Sequence, residues 1–126
     1  MLEVGIKGSA SFLVEESKTA KVVGSGNVEL LSSPMMIALM EKAAWTSVAP
    51  YLPEGAGTVG ILLEVRHVKP TPVGMRVSAE SELIEIKGKR LVFRITASDE
   101  QGLIGEGIHE RAMVDEVSFQ EKAQGK

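Results

Sequence analysis

The chain has 126 residues, a formal net charge of −3 and no cysteine. That length supports one hydrophobic core, so residues 1–126 are read as one domain, and the interspersed charges make no basic surface for nucleic acid. Disulfide staples and thiol nucleophiles are excluded, and with two histidines in the whole chain no dedicated metal site is expected.

The opening residues, MLEVGIKGSA, lack the basic start and apolar run of a signal peptide. No apolar stretch approaches the roughly 18 residues of a membrane span, so a soluble cytoplasmic protein is expected. Gly8 to Glu15 is partly alternating and reads as a first strand. Thr19 to Val23 reads as a second short strand, and Gly24-Ser25-Gly26-Asn27 as a turn. Ser32-Ser33-Pro34 then opens a helix, with Ser33 as the expected cap and Pro34 in the first turn. Strong helix formers follow, and Pro50 should stop the helix.

From Thr58 onward the pattern is sheet. Thr58 to Lys69, Met75 to Ile86, Leu91 to Ser98 and Leu103 to Val117 read as long strands. The breaks at Pro70-Thr71-Pro72-Val73-Gly74, Gly88 and Asp99 to Gly102 suggest an antiparallel meander. The polar tail from Phe119 to Lys126 is expected to fray. One curved sheet wrapped around one apolar helix satisfies this order, an α+β architecture.

The helix is apolar nearly all round, yet Glu41 sits in its middle. It is either part of a narrow wet edge with Lys42 or a carboxylate held to act as a base or orient a water. Ser33 caps the helix in the plain reading. A serine there can also hydrogen-bond a carbonyl or a water, beside the free amides of a helix start. His67 lies near the end of the first long strand and His109 in the last; both have the right chemistry for proton transfer. The residues alone do not choose between them, although the charged neighbours of His109 suggest a salt-linked structural contact. Gly60, inside a strand, implies a bulge, a close helix contact or room for a ligand. Met36, with Met35 and Met40, either lines an adaptable pocket or packs the core.

The stretches SSPMMIALMEKAAWTSVAPYLPEGAGTVG, HVKPTPVG and GEGIHERAMV resemble the hotdog-fold thioesterases, most closely the fluoroacetyl-CoA thioesterase type. The resemblance covers nearly the whole chain. It implies a hotdog fold and a catalytic set of a helix-start hydroxyl, a glutamate two turns later and a strand histidine. These fall on Ser33, Glu41 and His67. The specialised enzyme has threonine at the position of Ser33, and the family's small residue beside the thioester pocket matches Gly60. His109-Glu110-Arg111 also matches the family, with no catalytic role implied. The segment from Gly24 to Ser32 departs from the pattern: it is shorter and lacks the lid-like aromatic residues of the specialised enzyme.

The function implied is hydrolysis of a small acyl-CoA thioester, with no cofactor beyond the CoA of the substrate. The expected partner is a second copy in a homodimer or higher oligomer. The competing readings are a non-catalytic acyl-CoA or small-ligand binding protein, and an enoyl-CoA hydratase or dehydratase on the same scaffold.

Overall fold

The computed structural model describes residues 1–126. Five strands form one antiparallel sheet: β1 (Lys7–Leu13), β2 (Ala56–His67), β3 (Arg76–Lys87), β4 (Arg90–Asp99) and β5 (Gly102–Asp115). A 16-residue helix, α2 (Ser33–Val48), lies against its concave face. A one-turn helix, α1 (Ala20–Val23), precedes it, and α3 (Glu116–Gln124) follows the sheet. No helix is long and apolar enough to cross a membrane.

The core follows from alternation. On β3, Val77, Ala79, Ser81 and Leu83 are buried; on β4, Leu91, Phe93, Ile95 and Ala97. These meet Met36, Leu39, Met40, Ala43, Ala44 and Val48 of α2, all 4 % exposed or less. A register shift between Leu83 and Glu85 ends the inward series on β3, and Glu85 pairs with Lys87 at 3.3 Å. Gly8 sets how close the helix comes: a Cβ there would collide with the Ala43 carbonyl and the Ser47 side chain.

The strand order is β1-β3-β4-β5-β2, which corrects the expected meander. β3, β4 and β5 do follow one another, but β2 pairs with β5 and never touches β3. Residues 68–75 carry the chain across instead. Val68 and Lys69 bond the Ile104 carbonyl, and buried Thr71 bonds Asp99 Oδ2 at 2.8 Å. β2 is therefore an edge strand of 12 residues.

Three local expectations change as well. The segment Thr19 to Val23 is not a strand. Thr19 caps a single helical turn by accepting from the Val22 amide, and Gly24 ends it at φ 95°. The pair of valines suggested a strand, but the flanking threonine and glycine decide the local backbone. The helix cap is Ser32, whose hydroxyl accepts from the Met35 amide at 3.2 Å; Ser33 is the first helical residue. The tail from Phe119 is helical as far as Gln124: Asp115 caps α3 by accepting from the Ser118 amide at 2.9 Å. The helix α2 does end where Pro50 requires, passing into a 3-10 turn over Ala49–Tyr51.

Candidate active site

With Ser32 serving as cap, the Ser33 hydroxyl is free for other work. It lies 2.7 Å from His67 Nδ1, at the end of β2. A serine donates there only if Nδ1 carries no proton, which places the ring's proton on Nε2. That Nε2 is buried with no hydrogen-bond partner. Burial holds the His67 pKa below its ordinary value, and a favourable contact with the Lys69 backbone offsets part of this. His67 is thus neutral at pH 7 and available as an acceptor. A cleft of about 370 Å³ opens beside the pair, lined by Ser25, Gly26, Val28, Leu30 and Lys69 among others, with no aromatic residue apart from His67 itself.

The first turn of α2 offers few free amides. Pro34 has none, the Met35 amide bonds the Ser32 hydroxyl, and the Met36 amide bonds the Ser32 carbonyl. The Ser33 N–H is left as the unclaimed donor, next to the Ser33–His67 pair.

Glu41 sits elsewhere. Eight residues along a helix is about 12 Å, so it cannot share the Ser33–His67 hydrogen bond. Its Oε2 accepts from Arg111 Nη1 at 3.2 Å and lies 3.8 Å from His109 Nε2. Arg111 is held on every side. Its Nε donates to Thr58 Oγ1 at 2.8 Å, its Nη2 to the Thr58 carbonyl at 2.9 Å, and its Nη1 also to His109 Nε2 at 3.1 Å. His109 is fully buried beneath α2, its ring tilted against Phe93, and its Nδ1 lies 2.9 Å from the Leu62 carbonyl. His109 does contact charged neighbours, but as a neutral acceptor beside the Glu41–Arg111 pair and not as a salt-linked group. The reading of Glu41 among apolar neighbours missed the guanidinium facing it.

Gly60 adjoins this second cluster. A Cβ there would lie 2.5 Å from Glu41 Oε2 and 3.3 Å from His109 Cε1. Its space is taken up by the middle of the helix, not by the helix N-terminus. Met36 is fully buried, with its sulfur packed over Gly105, and so serves the core.

Arg111 was noted only as part of a family match with no role, and Thr58 was not singled out, yet a signal for Arg111 was there. The residues of β5 that share the inward parity are Gly105, Gly107, His109 and Arg111. A strand with no aliphatic residue on that stretch of its inner face builds a site rather than a core. No group of three or more histidine, cysteine, aspartate or glutamate side chains is placed to hold a metal. A concavity of about 570 Å³ lies on the outer sheet face among Glu64, Arg66, Arg94 and Glu106 and is lined by none of Ser33, Glu41, His67, His109 or Arg111.

A five-stranded antiparallel sheet around one central helix, with polar residues gathered along that helix, is the arrangement of the hotdog-fold thioesterases. A thioesterase-superfamily protein from Thermus thermophilus superposes with a TM-score of 0.88 at 26% identity, over 98% of this chain and 92% of that one. A solved structure of the fluoroacetyl-CoA thioesterase FlK superposes with a TM-score of 0.93 at 32% identity, over 100% of this chain and 98% of that one. The fluoroacetyl-CoA thioesterase of Streptantibioticus cattleyicolor is 34% identical over 131 aligned positions, covering 99% of this chain and 94% of that protein. Residues 14–117 match the family model described as fluoroacetyl-CoA-specific thioesterase, and the chain belongs to that family. It is a thioesterase by fold and family.

Proposed function

We propose that the protein hydrolyses the thioester of a small acyl-CoA, and that residues 1–126 form one thioesterase domain. The hydrogen bond between Ser33 Oγ and His67 Nδ1 carries the reading, because it joins a hydroxyl to a neutral base beside an open cleft. His67 accepts the proton of the attacking oxygen, whether that of Ser33 or of a water in its place. The carbonyl oxygen develops negative charge as the new C–O bond forms, and the free Ser33 amide is positioned to receive it. The tetrahedral intermediate collapses, the C–S bond breaks, and the CoA thiolate takes the proton from His67. Where Ser33 is the attacker, a water deprotonated by His67 then cleaves the acyl-serine ester and the proton returns to the serine. None of these steps calls for a cofactor.

Glu41 enters through a second copy of the chain. β2 is a long edge strand with Ile61 and Leu63 53 % and 41 % exposed, a surface proteins normally cover. It carries Gly60 near one end and His67 at the other. Antiparallel pairing of β2 with its copy would bring the His67 end of one protomer toward the Gly60 end of the other. The Ser33–His67 pair then faces the Glu41–Arg111 cluster across a homodimer interface, and Glu41 orients the attacking water. The partner's exposed helix stripe, including Trp45, would be covered by the same contact. A CoA thioester carries phosphates and does not cross membranes unaided, which supports a cytoplasmic location.

A thiol-release assay over acyl-CoAs of different chain length and halogenation, saturated and enoyl, tests the activity. Glu41→Gln and His67→Ala should each abolish turnover while the protein stays folded; unchanged turnover would refute the assignment. Mixing and refolding the two inactive variants tests the shared site. A site built across a two-fold dimer regains about a quarter of wild-type activity, because half the dimers are mixed and each holds one intact site. A site contained in one chain regains none.

A further inference from the structure

Glu41 is held by Arg111, and Arg111 is held by a residue the proposed mechanism does not use. His109 is 0 % exposed and both its ring nitrogens are engaged. Nδ1 faces the Leu62 carbonyl, which only accepts, so Nδ1 carries the proton. Nε2 faces Arg111 Nη1, which only donates, so Nε2 must be a bare lone pair. The two neighbours together admit one state of the ring: neutral, with the proton on Nδ1. Each Nη1 hydrogen of Arg111 is thereby assigned, one to Glu41 at 3.2 Å and one to His109 at 3.1 Å.

We infer that His109 is a positioning residue for Glu41: as a neutral acceptor it fixes the Arg111 guanidinium that holds the carboxylate, and its protonation releases both. A proton on Nε2 would replace an accepted hydrogen bond with two cationic groups 3.1 Å apart. It would also offer Glu41 Oε2, 3.8 Å away, a competing cation. The carboxylate would then turn from Arg111 toward the ring. The charged groups facing His109 are Glu41 from α2 and Arg111 from β5. β2 contributes only the Leu62 carbonyl and uncharged Thr58 and Gly60, and β4 only the Phe93 ring. Burial is the larger cause that holds the His109 pKa below its ordinary value; Arg111 adds to it, and the Leu62 carbonyl and Glu41 oppose it. The ring is therefore neutral at pH 7, and the network is intact there.

This inference rests on the role proposed for Glu41, and two variants with one spectroscopic measurement test it. His109→Gln can keep an acceptor near the Nε2 position and does not titrate. His109→Leu keeps bulk and removes the acceptor. His109→Leu should lower kcat about 10- to 100-fold with KM little changed, the cost of a carboxylate misplaced by about 1 Å. His109→Gln should keep kcat within about threefold. Its acid limb should fall with the titration of one group, where the wild-type limb is steeper because His67 and His109 both titrate. In the wild-type protein the Arg111 Nε–H resonance, assigned with Arg111→Lys, should weaken on acidification in step with the His109 ring signals. In His109→Gln it should persist. Wild-type kcat in His109→Leu, or a wild-type acid limb in His109→Gln, would overturn the inference. So would an Arg111 resonance indifferent to His109 titration, which decides the matter even if both variants fail to fold. A wild-type protein that releases no thiol from any acyl-CoA overturns the proposed function instead, while an Arg111 signal that follows His109 still supports the coupling.

Discussion

Replacing Gly60 with alanine separates site geometry from stability. Gly60 has no positive φ, so alanine is compatible with its backbone. Space is the obstacle: the added Cβ would lie 2.5 Å from Glu41 Oε2, 3.3 Å from His109 Cε1 and 3.5 Å from Arg111 Nη1. Carbon and oxygen settle at about 3.5 Å, so the carboxylate must move by about 1 Å. The Glu41–Arg111 bond, already 3.2 Å, cannot absorb that. The Glu41 side chain is 34% exposed, so losing the pair costs about 0.5–1 kcal/mol, less than a fully buried pair would. Alanine in place of a strand glycine returns about 0.5–1 kcal/mol. The two nearly cancel, and Tm should stay within about 4 °C of wild type. Catalysis has no such offset: a 1 Å displacement costs about 100-fold in kcat, or about 2.7 kcal/mol of transition-state stabilisation. Calorimetry gives Tm and thiol release gives kcat. Gly60→Ala with kcat within threefold of wild type would refute the claim that the position of Glu41 matters.

The two serines at the helix start should behave oppositely. Ser32→Ala removes a cap and should cost about 1 kcal/mol in urea unfolding. Ser33→Ala should leave the unfolding midpoint unchanged and depress turnover; equal stability losses would contradict the division of roles. Gly8→Ala would force a methyl into the Ala43 carbonyl and Ser47 and should destabilise by about 1–3 kcal/mol, with activity per folded molecule retained. His67 and His109 both have pKa values lowered in the folded state, so the unfolded chain binds protons first as pH falls. Stability should be flat above about pH 7.5 and fall through the ordinary imidazole range near pH 6.5, levelling once the folded-state rings titrate. Urea titrations between pH 5.5 and 8 check this, and His109→Gln should shrink the slope. Stability that rises on acidification would contradict the shifts.

The buried helix, its stop before Pro50 and the alternating core of β3 and β4 were legible because they are local: periodicity, caps and breakers act within a few residues. So was the oddity of Glu41. The helix cap was misplaced by one residue because two adjacent serines are equivalent until one of them is needed elsewhere. His67 supplies that need from 34 residues away. The tail was read as frayed because its composition is polar, although Asp115 was a cap in plain view. The place of β2 at the sheet edge could not be read, since short-range turn signals favour pairing with β3. Only the crossing segment, tied down by Ile104 and Asp99, carries the chain past that choice.

By itself the sequence determined that one apolar helix had to be wrapped by sheet, because its residues could not face water. It also placed a hydroxyl, a carboxylate and two imidazoles on elements that could bring them together. Tertiary structure decided the pairing. Ser33 and His67 meet because the end of β2 passes the start of α2, and Glu41 meets Arg111 because β5 runs beneath the helix middle. Hydrogen bonds depend on separations of about 3 Å between groups far apart in the chain, and no local pattern encodes those distances.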